Sequence, residues 1–86
     1  MSDGPHGPRA VVEVLARALV EHPDHVRVSE SQGKAGLVVE LSLPSSEMGR
    51  VLGRQGRTAA ALRTLAATAG EKNSTPVTVD IRETRG

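Results

Sequence analysis

Apolar residues fall in two rhythms along this chain, and the switches between them mark its elements. Val11, Val12, Leu15, Ala16, Leu19 and Val20 recur at helical spacing after Pro8, a residue suited to a first helical turn, and His22-Pro23 closes the stretch. Val26 and Val28 then alternate with Arg27 and Ser29, the period of two that predicts a strand. Gln32-Gly33-Lys34-Ala35-Gly36 reads as a turn into a second alternating run, Leu37, Val39, Leu41 and Leu43, so the two strands are expected to pair as a hairpin. Pro44 ends that run, Ser45 or Ser46 is placed to cap a following helix, and Glu47 in its first turn suits the helix dipole. Met48, Val51 and Leu52 give this short helix an apolar face, and Gly53 stops it. Beyond Gly56, the spacing of Ala59, Leu62, Leu65, Ala66 and Ala69 predicts a longer helix ending at Gly70. A polar connection from Glu71 to Pro76 leads to Val77, Val79 and Ile81, a last strand.

The order helix, strand, strand, helix, helix, strand favours an α+β layer in which three strands pack against helices on one face. One folded unit over residues 8–82 is expected, with tails at 1–7 and 83–86; Gly4, Pro5 and Gly7 make the first of these polar and open. A chain of 86 residues buries about 60 to 65% of its unfolded surface, so every element must serve one core. With no Phe, Trp or Tyr, that core must be built from Val, Leu, Ile, Ala and Met. The same lack removes aromatic platforms for stacking bases and argues against cold-shock and RRM-type binders. Absence of cysteine excludes disulfides, thiolate zinc sites and cysteine nucleophiles. No apolar run is long enough for a membrane span or a signal peptide, and the cytoplasm is the expected location.

A net charge of +1 says little by itself, but its distribution does. Between Glu47 and Glu71 no acidic residue occurs, while Arg50, Arg54, Arg57 and Arg63 all do; the acids Glu13, Glu21, Asp24, Glu30, Glu40, Asp80 and Glu83 lie in the flanks. The middle is therefore cationic, and fits either a polyanion partner or a solvated helix face. At its centre is Gly49-Arg50-Val51-Leu52-Gly53-Arg54-Gln55-Gly56-Arg57. Two glycines let a neighbouring backbone approach closely, Arg54 and Gln55 at the tip should point to solvent, and the next helix offers free amide N–H groups to an anion. A tight helix-helix turn with Gly53 as a C-cap would account for the same glycines. The spacing matches neither a P-loop nor a dinucleotide fingerprint.

Val51-Leu52-Gly53-Arg54-Gln55-Gly56, set between two helices and after a hairpin, resembles the (Val/Ile)-Ile-Gly-x-x-Gly core of a KH domain. The element order resembles the bacterial, type II KH topology, with a mixed three-stranded sheet. From Leu43-Pro44 through Met48 to Arg57 and on to Ala61-Leu62-Arg63, the chain closely resembles the small single-domain bacterial KhpA family, and the likeness runs from about Val11 to Ile81. It implies that Gly53, Arg54, Gln55 and Gly56 grip the backbone of about four single-stranded RNA nucleotides, with bases in an apolar groove between the loop helices and a neighbouring strand. Met48, Val51, Leu52 and Thr58 are candidates for the groove wall, although Met48, Val51 and Leu52 fit the core as well, and Lys72 is a candidate for its far rim. Arg50, Arg57 and Arg63 are candidate phosphate contacts or simply exposed helix arginines. The large aliphatic that the family often places three residues beyond the second loop glycine is Ala59 here, which leaves the groove depth open.

The resemblance further implies a cytoplasmic RNA-binding protein and RNA chaperone that needs no cofactor or small-molecule substrate. It implies a homodimer or a complex with a larger KH-containing partner of the KhpB (Jag) type, and a role in cell length, division and peptidoglycan homeostasis. Two other classes compete: a KH-fold interaction module with little RNA binding, against which the intact glycines and basic tip argue, and a DNA-binding helix-turn-helix. The last is a poor fit, because Thr58 to Ala69 offers almost only Arg63 to read bases. An enzyme is least expected, since His6, His22 and His25 read as surface histidines and nothing pairs a nucleophile with a base or spaces metal ligands.

Overall fold

The computed structural model describes residues 7–72 and 74–84. The N-terminal tail expected at 1–7, apart from Gly7, and the last two residues of the tail expected at 83–86 lie outside that range. Six principal elements follow one another: α1 (Pro8–Leu19), β1 (Arg27–Gly33), β2 (Gly36–Leu43), α2 (Ser45–Leu52), α3 (Arg57–Glu71) and β3 (Val77–Glu83). Single 3-10 turns lie at Pro23–His25 and Arg54–Gly56.

β2 is the central strand of the order β1-β2-β3. It pairs antiparallel with β1 through a two-residue turn closed at Gly33↔Gly36, and parallel with β3 in the register Leu37↔Val77, Val39↔Val79, Leu41↔Ile81. The sheet is thus mixed, as the KH resemblance implies. Alternation along β2 is complete: Leu37, Val39, Leu41 and Leu43 are buried and the residues between them are partly exposed. The helices cover the buried face, and Val12, Ala16, Val51, Leu62 and Ala66 join these strand residues in one core. On the open face Arg82 pairs with Asp80 of its own strand at 2.9 Å and reaches across to Glu40 of β2 at 3.6 Å.

Several boundaries differ from the sequence expectation, each for a packing reason. α1 ends at Leu19, before His22-Pro23, because Val20 turns into extended backbone and is itself buried. Neither serine caps α2. Pro44 occupies the N-cap without a side-chain bond, and its carbonyl accepts the Glu47 N–H at 2.9 Å. Gly70 does not end α3, which runs on to Glu71. Gly70 is buried where the Val77 side chain and the Thr75 backbone occupy the space a Cβ would need, so the glycine allows β3 to start tight against the helix. The last strand extends to Glu83, beyond the expected folded limit at 82, and the Thr84 N–H bonds the Leu43 carbonyl at 2.6 Å.

Glu47 has a larger role than a dipole complement. It is the buried charged residue among those described, only 2% exposed. Its carboxylate accepts the backbone N–H of Glu21 at 3.1 Å and of His22 at 2.8 Å, and lies 3.2 Å from His22 Nδ1. These groups were freed where α1 stopped, so one side chain of α2 holds the end of α1 and satisfies a buried turn. The N–H of Glu21 foremost, together with the His22 contacts, lowers the Glu47 pKa against the upward push of burial.

A lowered folded-state pKa contributes stability that is present above the ordinary glutamate range and is lost as pH falls through the folded value. Urea unfolding followed by circular dichroism should show stability falling on acidification from about pH 5 to about pH 3, with a shallower fall and a lower midpoint at neutral pH for Glu47→Gln. In the same assay Gly70→Ala should cost about 1–3 kcal/mol by overpacking, despite alanine's higher helix propensity.

Candidate nucleic-acid interface

The loop between α2 and α3 is shaped by three residues at positive φ. Gly53 ends α2 at φ 73°, ψ 177°, a region open essentially to glycine alone, and its N–H bonds the Gly49 carbonyl at 2.9 Å. A Cβ on Gly53 would collide with the Thr58 side chain, so the first turn of α3 packs directly under it. Gln55 is left-handed at φ 57°, ψ 26°, and Gly56 follows at φ 73°, ψ 12° as the N-cap of α3. Nothing lies within 4 Å of the position a Gly56 Cβ would take. The two glycines therefore do different work: Gly53 accommodates the protein's own chain, while Gly56 faces open space.

α3 begins without help. Its N-cap makes no side-chain hydrogen bond, and its first turn holds no acidic residue. Instead Arg57 occupies the first helical position, its Nη2 donating to Gln55 Oε1 at 3.2 Å. A cation at the positive end of a fifteen-residue helix is unfavourable by itself, and an anion placed there would relieve it while accepting first-turn N–H groups. Arg54 and Gln55 are exposed at the tip, as expected.

The four arginines of the acid-free stretch separate. Arg50 turns away from the loop, its Nε 3.5 Å from Glu47 and its Nη2 3.7 Å from Glu21. Arg54, Arg57 and Arg63 make no ion pair among the described residues. Arg63 lies two turns along α3 and donates from Nε to the Val79 carbonyl of β3 at 3.3 Å.

Of the expected groove wall, Met48 and Leu52 are half-buried on α2; Leu52 directly precedes the loop, while Met48, in the first turn of the helix, packs against the core. Val51 is wholly buried within the core, so it supports the loop from beneath and cannot line a groove. Thr58, packed under Gly53, also faces Leu15, Ala18 and Leu19 of α1. Lys72 is not brought to the loop: it follows α3 at the opposite end, about 24 Å along the helix from Gly56, beside Val11 and Val14 of α1. Ala59 is buried, so its small size shortens the distance between α3 and the core rather than shaping a ligand surface. Sequence reasoning missed Glu47 as an anchor and the outer edge of β3 as the structure beside Arg63. The acid-free stretch beginning just after Glu47 was a signal for the first; the second depends on strand order and had none.

A βααβ unit with a glycine loop between its helices, inside a mixed three-stranded sheet, defines a KH domain. The model of the KhpA/KhpB KH domain matches residues 9–81, and the chain belongs to that non-enzymatic family. It is 48% identical over 73 residues to the RNA-binding protein KhpA of Halalkalibacterium halodurans, covering 85% of this chain and 96% of the relative. With the RNA-binding protein KhpA of Aquifex aeolicus it shares 42% identity, covering 85% and 92%. Among solved structures it is similar in fold to Aquifex aeolicus Era bound to GDP·AlF4−, with a TM-score of 0.62 at 18% identity, covering 96% of this chain and 33% of Era. A complex of Era with MgGDPNP and nucleotides 1506–1542 of 16S ribosomal RNA gives a TM-score of 0.61 at 17% identity, covering 88% and 29%. Among the described residues no helix is long and apolar enough to cross a membrane.

The unequal roles of the glycines are measurable. Gly56→Ala should cost about 1 kcal/mol, the penalty of a left-handed alanine, whereas Gly53→Ala adds the collision with Thr58 and should cost about 3 kcal/mol or more. Urea denaturation of both variants gives the comparison, and equal costs would contradict the packing of Thr58 beneath Gly53.

Proposed function

We propose that this protein binds single-stranded RNA without catalysis, the loop Gly53-Arg54-Gln55-Gly56 holding the sugar-phosphate backbone at the start of α3. The observation that carries the reading is the uncapped first turn of α3, flanked by unpaired Arg54 and Arg57 beneath the open face of Gly56. Membership of a family whose similar relatives are named RNA-binding proteins supports it. Bases would lie along the half-buried Leu52 and Met48 and toward the edge of β3. Two or three phosphate contacts give weak affinity alone, and a second KH unit raises effective concentration. The working form in this reading is a homodimer or a complex with a larger KH-containing protein of the KhpB (Jag) type. It acts in the cytoplasm as an RNA chaperone or post-transcriptional regulator, with effects on cell length, division and peptidoglycan homeostasis.

A second reading, a KH-fold dimerisation module with little RNA binding of its own, has one observation in its favour. Val14, Leu19 and Leu65 are 51%, 38% and 49% exposed along α1 and α3. Equilibrium sedimentation over a concentration series tests it, and a monomer throughout would remove it.

Fluorescence anisotropy with end-labelled single-stranded RNA, and DNA and duplex controls, tests the first reading. The wild type should prefer single-stranded RNA with a salt slope of about −1 to −2, as two or three phosphate contacts require. Arg54→Asp combined with Gln55→Asp, confirmed folded by circular dichroism, should bind at least about tenfold more weakly, since it places two carboxylates where phosphates would sit. Unchanged binding by the folded variant would remove the loop from the interface.

A further inference from the structure

Arg63 differs from the arginines at the loop in what surrounds it. β3 is the edge strand of the sheet, so the outward backbone groups of Val79 have no strand partner, and Arg63 Nε occupies its carbonyl at 3.3 Å. Val79 itself is 5% exposed, which fixes that carbonyl in place. No carboxylate among the described residues pairs with the guanidinium, whose terminal Nη groups remain free to donate.

The position along α3 matters as much. Gly56, Arg63 and Gly70 are spaced seven apart and fall on one face of the helix. β3 runs back along that face toward the loop: Gly70 meets Val77, and Arg63 reaches Val79. Arg63 therefore lies about 10.5 Å beyond Gly56 along the axis of α3. An RNA backbone held at Gly56 and the first turn of α3 would place its phosphates at the loop, with a base directed toward Arg63 and the strand edge.

Resting on the RNA-binding reading above, we infer that Arg63 is a specificity-determining residue that reads one base, its guanidinium held against the Val79 carbonyl and its remaining donors turned to the base edge. A donor fork selects a base that presents two adjacent acceptors. Guanine does so through O6 and N7, whereas adenine sets an amino donor beside N7 and opposes the fork. Without Phe, Tyr or Trp the protein has no large aromatic platform with which to favour one base by stacking, and a fork held by the strand edge supplies discrimination of another kind. The base class selected is guanine over adenine at one position of the bound segment.

The test uses end-labelled eight-nucleotide uridine RNAs carrying a single guanine or adenine at each position in turn. Wild type should bind the best guanine probe about tenfold more tightly than its adenine counterpart. Arg63→Gln should abolish that preference and leave the salt slope unchanged, and Arg63→Lys, which keeps the charge but not the fork, should also lose most of it. Circular dichroism and urea unfolding confirm that both variants are folded. Uniform weakening across probes with the salt slope reduced by about 0.7 would make Arg63 a phosphate contact and overturn the inference. An unaltered base profile in the folded variants would leave Arg63 only a clamp on the strand edge and equally overturn it. Binding lost with Arg54→Asp plus Gln55→Asp, but a profile indifferent to Arg63, separates failure here from failure of the RNA-binding reading; no binding of any probe by wild type would remove both.

Discussion

The parallel pairing of β2 with β3 is the constraint on which the rest of the structure depends. Antiparallel strands can be joined by two residues, as β1 and β2 are, but parallel neighbours need a crossover that travels the length of the sheet and back. Here the crossover is α2, the glycine loop and α3, and because the buried side chains of β2 (Leu37, Val39, Leu41 and Leu43) all face one way it must lie on that face. The loop is consequently the bend of a crossover held down at both ends. Glu47 fixes the start of α2 to the end of α1, and Gly70 seats the far end of α3 against Val77.

A core without aromatic rings sharpens this arrangement. Small and branched aliphatic side chains fill space only if backbones come close, which explains the burial of Ala16, Ala59, Ala66 and Ala69 at helix contacts and the positions Gly36, Gly53 and Gly70, where a methyl group is not tolerated. Charge follows the same economy. Among the described arginines away from the loop and α3, all but Arg27 are matched: Arg9 and Arg17 with Glu13, Arg50 with Glu47 and Glu21, Arg82 with Asp80 and Glu40. Arg54 and Arg57 are left unmatched at the uncapped start of α3, and Arg63 two turns further along it. The cationic character of the surface is thus concentrated by pairing elsewhere rather than by abundance, in a chain whose net charge is only +1.

Most of the fold was legible because the strands and helices carry clean periods. The alternation of Leu37, Val39, Leu41 and Leu43 and the spacing of Ala59, Leu62, Ala66 and Ala69 both correspond to buried faces, although Leu65 of the same run is 49% exposed. The chain ends of elements were less legible, since they are decided by tertiary partners. α1 stops early where Val20 enters the core, and α3 continues through a glycine that sequence alone reads as a terminator. The loop was visible from its two glycines, but a pattern of residue types could not say that one faces inward and the other outward. Nor could it show that Arg50 would be drawn to Glu47 and Glu21, or that Arg63 would meet the edge of a strand sixteen residues further on.

The packing of Thr58 beneath Gly53 also bears on the thermodynamics of anything that docks on the loop. The unusual backbone angles of Gly53 are enforced from within the protein, with Gln55 and Gly56 completing the turn before any contact from outside. Conformational entropy at this site is therefore lost during folding rather than during association. A molecule settling on the loop meets a preorganised backbone, and the ordering that remains is confined to the exposed side chains of Arg54, Gln55 and Arg57.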